Sequence, residues 1–118
     1  MVGETFRPHE RIRRRVEYQR IYDQGARQHG RFYTVFFLPN NLEFGRLGIA
    51  ATRKLGGAVV RNRAKRIVRE LYRRTRIAPG FDVVVIPKRE SLDASLTVLE
   101  ADYRTIVERR LRSRRSAR

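Results

Sequence analysis

The chain has 118 residues, enough for one domain with a hydrophobic core and too few for two. Its 28 Lys and Arg against 12 Asp and Glu give a formal charge of +16. Such a chain repels itself when compact and calls for a polyanionic partner, nucleic acid before an anionic membrane surface. With 41% hydrophobic residues and no cysteine, wholesale disorder, disulfides and thiolate metal sites are excluded.

Met1 to Pro8 show no periodicity and are expected to form a loose arm on a single domain spanning 1–118. A charge run, Arg11 to Arg15, follows. Tyr18, Ile21 and Tyr22 then recur at i, i+3 and i+4, which predicts a helix with Gly25 as its C-cap. There is room for a short strand near 26–30. Residues 31–38 are β-branched and aromatic and predict a strand, ended by the turn chemistry of Pro39-Asn40-Asn41. A strand at 46–51 is expected to pair antiparallel with it across that short loop. A flexible turn, 52–57, leads into the longest helical pattern, 58–76. On it Val60, Ala64, Ile67, Val68 and Leu71 gather on one face, with Asn62, Lys65, Arg66, Arg69, Arg73 and Arg76 opposite. Ala78-Pro79-Gly80 stops this helix, and 81–86 reads as a strand buried on both faces. Thr97-Val98-Leu99-Glu100 fits a capping box, opening a last helix that turns Leu99, Tyr103, Ile106 and Val107 inward. The Arg/Ser-rich tail, 112–118, is expected to fray. This order predicts a two-layer α/β sandwich. Its one crossover runs from the 46–51 strand through the basic helix to the 81–86 strand, and for parallel neighbours general sterics favour a right-handed connection.

Candidates for catalysis are few. His9 and His29 lack any metal-ligand spacing, and the carboxylates are scattered among arginines, where solvated ion pairs are the ordinary outcome. Asp82 interrupts an apolar strand and is expected at a strand start or sheet edge. The segment from Gly48 to Lys54 lacks the second glycine of a phosphate loop. No stretch approaches the roughly 18 apolar residues of a membrane span, and there is no apolar signal core, so a soluble cytoplasmic protein is expected.

Nucleic-acid chemistry is better supplied. Arg accounts for 25 of the 28 basic residues. Planar guanidinium forks suit phosphates, although a GC-rich coding sequence gives the same bias. Segment 61–76 carries Arg61, Arg63, Lys65, Arg66, Arg69, Arg73, Arg74 and Arg76 against the single acid Glu70. A merely solvated face would mix both signs to gain i,i+4 pairs, so this one is read as a polyanion contact. Tyr18 and Tyr22 could meet Phe32 and Phe36 to form an aromatic groove rimmed by Arg13, Arg14, Arg15 and Arg20, suited to single-stranded RNA. The plainer alternative makes the two tyrosines simply the core face of their helix.

The run from Leu55 to Glu70, with Arg61-Asn62-Arg63 at its centre, closely resembles the signature helix of the bacterial ribonuclease P protein subunit. The segments from Glu17 to Gly25 and from Arg46 to Lys54 resemble that family's first helix and the strand feeding its signature helix. Departures are Ala64 where the family usually has a larger aliphatic, Thr52 where Ser is common, and Tyr18 and Tyr22 where Phe is frequent. The resemblance implies a two-layer sandwich like the second domain of ribosomal protein S5, with a left-handed crossover against the general preference. It implies a non-catalytic protein subunit of an endoribonuclease. A separate RNA subunit, using Mg²⁺ that the protein does not itself hold, removes the 5′ leader of precursor tRNA. Carried over, Arg53, Lys54, Arg61, Asn62, Arg63, Lys65, Arg66 and Arg69 would face the ribonuclease P RNA, and Arg13, Arg14, Tyr18, Tyr22 and Phe36 would form the leader cleft. No membrane and no obligate protein partner is implied. A stand-alone RNA-binding or ribosome-associated protein, without a role in cleavage, is the alternative; a membrane-surface protein and an unassisted nuclease stand behind it.

Overall fold

A computed structural model describes residues 10–75 and 80–116. Its elements are α1 (Arg15–Gln24), β1 (Ala26–His29), β2 (Tyr33–Pro39), β3 (Arg46–Ile49), α2 (Ala58–Arg74), β4 (Phe81–Pro87), a 3-10 turn (Arg89–Asp93) and α3 (Leu96–Ser116). The strands form one mixed sheet in the order β1-β2-β4-β3. β4 therefore sits between β2, antiparallel to it, and β3, parallel to it. The expected hairpin between β2 and β3 does not form. Phe81 to Val85 are buried without a break, and the strand with the most apolar surface to hide takes the interior place. The loop 40–45 consequently spans the width of one strand, and α2 is the crossover between parallel neighbours.

Alternation across the pleat sorts the core into two faces. Tyr33, Val35, Phe37, Val83 and Val85 point with Leu47 toward Val68, Leu71 and Tyr72 of α2 and Leu99, Tyr103, Ile106 and Val107 of α3. Phe36 and Val84 point the other way, toward Ile12 and Ile21, with Tyr18 and Tyr22 partly covered beside them. α1 thus lies on the face opposite α2 and α3. Among the described residues no helix is long and apolar enough to cross a membrane.

Several local expectations change. α2 ends at Arg74, and Arg76 lies outside the described residues, as do the arm 1–8 and Pro79. Gly25 is the C-cap of α1, but its backbone is extended, with φ −78°. Glycine is needed there for space, since a Cβ would stand 2.6 Å from the Ile21 carbonyl oxygen. The cap of α3 is Ser95 rather than Thr97: Ser95 Oγ accepts from the Val98 N–H at 3.3 Å. Glu100 instead pairs with Arg74 and Arg104. The α3 backbone stays helical through Ser116, five residues past Leu111. This helix also clasps the β1–β2 connection. Asp102 accepts from the N–H groups of Arg31 and Phe32, both at 2.9 Å, and Arg109 donates to the His29 carbonyl.

Asp82 is fully buried in the second position of β4, so it begins a strand but not at a sheet edge. Interior placement is possible because its charge is met on all sides. Arg46 of β3 holds it with two bonds of 2.8 and 2.6 Å, Asn40 donates at 2.8 Å, and Arg20 of α1 approaches to 3.6 Å. Arg46 also reaches Glu17 of α1 at 2.9 Å. Removing one partner of a buried pair strands the other, which costs about 3–5 kcal/mol. Arg46→Ala is therefore expected to lower the urea midpoint by that equivalent, whereas a change under about 1 kcal/mol would show the pair to be dispensable.

The hydrogen bond from Arg46, ahead of the opposing effect of burial, holds the Glu17 carboxyl below its ordinary 4.5. A folded-state value below the unfolded one stabilises the protein above the unfolded value, and the gain is lost as pH falls through the folded one. Urea titrations at pH 7 and pH 3 should show a wild-type acid loss that Glu17→Gln reduces. Equal acid losses in the two proteins would separate Glu17 from acid stability.

Candidate nucleic-acid interface

One row of residues crosses the sheet on the α1 face. Arg27 of β1 registers with Phe36, Phe36 with Val84, and Val84 with Gly48. Tyr22 stands edge-on to Phe36 at 5.1 Å between ring centroids, and Tyr18 lies 6.3 Å from Tyr22. Three of the four rings that the sequence proposed for a groove are thus together, whereas Phe32 belongs to the core on the other face. Both readings of the tyrosines meet here. Each tyrosine packs against the core and each stays partly exposed.

Tyr18 fixes the floor. Its hydroxyl accepts from the Ile49 N–H at 3.1 Å and donates to the Ile12 carbonyl at 3.3 Å. Burial raises this phenol above its usual 10, which keeps the donating proton in place. Gly48 makes the approach possible, since a Cβ there would meet the Tyr18 ring at 2.7–2.9 Å. A lone glycine within a strand signals this kind of close approach, so the sequence held the clue. The segment ahead of α1 is fastened by the same contacts. Arg11 bridges to Leu47 as a short parallel extension of the sheet, and Ile12 N–H donates to the Leu47 carbonyl at 2.9 Å.

A cavity of about 210 Å³ opens where this segment, β3 and α2 converge. Arg11, Arg13, Lys65 and Arg69 surround it, with Tyr18 and Gly48 among its walls. Lys65 and Arg69, expected on a separate helix surface, therefore border the aromatic cleft. Arg14 is exposed at the start of α1, where its N–H donates to Glu17 at 3.5 Å. Arg53 and Lys54 are exposed on the turn before α2, while Asn62 and Arg66 are exposed on the outer face of α2. Arg63 is turned away toward the 3-10 turn, where it lines a different cavity. The groove's opposite edge also carries a group that sequence reasoning did not single out: Arg27, held by a 2.9 Å hydrogen bond to His29. Its i,i+2 spacing with His29 on one strand face was the available signal.

The acids of α2 and α3 neutralise only the end of the basic helix. Glu70 pairs with Arg73 and Arg74, and Glu100 with Arg74 and Arg104. Arg53, Lys54, Arg61, Arg63, Lys65, Arg66 and Arg69 form no ion pair with any described residue. Like charges one turn apart destabilise a helix, and here they are left for an external anion to offset. Among the described residues no three His, Asp or Glu side chains gather as metal ligands. The arrangement offers unpaired cations beside two partly exposed tyrosine rings, which is the chemistry of phosphate contact and base stacking.

Comparison with known proteins finds relatives that share this fold. The family model described as Ribonuclease P matches residues 6–111. The Ribonuclease P protein component of Thermotoga maritima is 42% identical over 89 residues, covering 74% of this chain and 76% of its own. That of Petrotoga mobilis is 36% identical over 92 residues, covering 76% and 78%. Among solved structures, the RNase P protein from Thermotoga maritima superposes with a TM-score of 0.77 at 33% identity, covering 85% of this chain and 96% of that one. The Staphylococcus aureus RNase P protein superposes with a TM-score of 0.76 at 29% identity, covering 84% and 93%. With the family match spanning nearly all of the fold and the solved relatives sharing its mixed sheet and three helices, this chain belongs to the ribonuclease P protein component family.

Proposed function

We propose that this chain is the protein subunit of a cytoplasmic ribonuclease P, which binds the catalytic RNA and the single-stranded 5′ leader of precursor tRNA. The observation that carries this reading is continuity. The unpaired cations of α2 run through Lys65 and Arg69 into the aromatic cleft, so two RNA strands can lie against one protein surface. Arg53, Lys54, Arg61, Asn62, Arg63 and Arg66 meet the RNA subunit. Arg13 and Arg14 hold leader phosphates, and Tyr18 and Tyr22 supply ring surface for its bases over the buried ring of Phe36. Lys65 and Arg69 stand where the two strands converge.

The contribution of the protein in this reading is positional and electrostatic. Cations between two RNA backbones lower their mutual repulsion, and a stacked leader is held in register. Phosphodiester hydrolysis belongs to the RNA subunit, where bound Mg²⁺ supplies Lewis acidity and an activated water.

Affinity for RNA is expected to fall steeply with salt, by roughly 0.7 log units per log unit of salt for each single-strand phosphate contacted. A flat salt profile would contradict phosphate contact. Arg66→Ala should weaken binding of the RNA subunit, while Tyr22→Ala should chiefly weaken binding of a leader-bearing precursor, by roughly tenfold for one lost stacking contact. The opposite pattern would reverse the assignment of the two faces. The decisive assay is multiple-turnover cleavage of precursor tRNA by bacterial ribonuclease P RNA at low Mg²⁺. Strong stimulation by this protein, and none by an equally charged basic control, is expected. Binding without stimulation would leave a stand-alone RNA-binding protein.

A further inference from the structure

The flank of α2 that faces away from the cleft borders a second cavity, of about 270 Å³, lying between the helix and the 3-10 turn Arg89–Asp93. Ala64, Ile67 and Tyr33 form its apolar lining, Ser91 is buried within it, and Arg63 and Asp93 stand exposed at its rim. Ala64 contributes only a single methyl to this wall, beside the larger Val60, Ile67 and Leu92. A cavity of about 150 Å³ already admits benzene, so this one has room for a fused two-ring heterocycle.

Two further observations indicate what enters it. Arg63 and Asp93 carry opposite charges on one rim, yet neither has a hydrogen-bond or ion-pair partner among the described residues. Val59, one turn before Arg63 on the same stripe, is 82% exposed. An apolar cavity, an uncovered aliphatic beside it, a cation for a phosphate and an acceptor for N–H groups match the parts of a nucleotide.

We propose that this cavity receives one unstacked guanine of the RNA bound along α2, an inference that rests on the RNA-binding reading of that helix. The ring lies against Ala64, Ile67 and Tyr33, and Arg63 meets its phosphate. An ionised carboxylate only accepts hydrogen bonds. The Asp93 carboxylate therefore suits the adjacent N1–H and N2–H₂ donors of guanine, whereas adenine and cytosine place an acceptor beside their amino group.

The test uses the full chain with bacterial ribonuclease P RNA transcribed with 6-thioguanosine, crosslinked by near-ultraviolet light and mapped by mass spectrometry. Wild-type protein should crosslink through Tyr33 or the Ser91–Asp93 turn. Ala64→Leu fills the cavity and should raise Tm of the free protein. It should also abolish that crosslink and weaken RNA binding roughly tenfold, the order carried by one base contact. Asp93→Ala changes only an exposed rim residue and should likewise lose the crosslink, which covers the case that Ala64→Leu fails to fold. Wild-type binding and crosslinking by both variants would overturn the proposal, as would a crosslink at this turn from 4-thiouridine in place of 6-thioguanosine. The RNA-binding reading fails separately, by absence of salt-dependent binding in wild-type protein. Arg66→Ala provides the contrast: weaker binding with a shallower salt slope, and a retained crosslink at saturating RNA.

Discussion

A carboxylate that cannot reach water must be met by protein, and Asp82 shows what that requirement organises. Its partners come from three places in the chain: Arg20 on α1, Asn40 in the loop after β2, and Arg46 on β3. Arg46 passes the constraint on to Glu17, so α1 is tied to the sheet by charge near its start and again through Arg20. Those ties set the height of α1 above β2 and β4, and with it the spacing of Tyr18, Tyr22 and Phe36. A buried ion pair adds little net stability compared with apolar packing, but it tolerates few alternative arrangements. Here it fixes the register between β3 and β4 together with the seat of the helix that walls the cleft.

The same side-chain chemistry is used in opposite ways elsewhere. Where acids are available, at the C-terminal end of α2, arginines are paired and tie that helix to α3. Along the rest of α2 they are left unpaired, and the self-repulsion is accepted. The division is spatial: paired cations join helix to helix, and unpaired ones face the cleft, the outer helix surface or the second cavity. Net charge alone does not show this. It emerges only when Glu70 and Glu100 are seen to serve the last turn and none of the preceding ones.

Patterns governed by near neighbours were readable from the chain. The 3.6-residue period of α2 placed Ala64, Val68 and Leu71 in the core, and the apolar run 81–86 announced a strand covered on both faces. The tyrosine spacing of α1 brought the right rings to Phe36. Strand order was harder. A short loop after an aromatic strand suggests a hairpin, and nothing local reveals that a strand some forty residues later will insert between the two. Asp82 escaped for the same reason, since its partners lie 36 and 42 positions away. At the start of α3, Thr97 and Glu100 matched a cap pattern by spacing, while the backbone began its helix one residue after Ser95. The continuity between cleft and basic helix was likewise hidden, because it depends on Lys65 and Arg69 of α2 lining one cavity with Tyr18 and Gly48.

The clasp of α3 on the β1–β2 connection bears on the order in which the protein is made. Asp102 reaches back 71 and 70 positions to the amides it holds, and Leu99, Tyr103, Ile106 and Val107 close the core beneath α2. A nascent chain emerges from its N-terminal end, so the sheet and the highly charged α2 leave the ribosome before their cover exists. During that interval the inner side of β2 and β4 has only α2 against it, and the hairpin end has no anchor. Completion of the fold must therefore wait for α3, and the cleft gains a rigid base only once that helix has emerged.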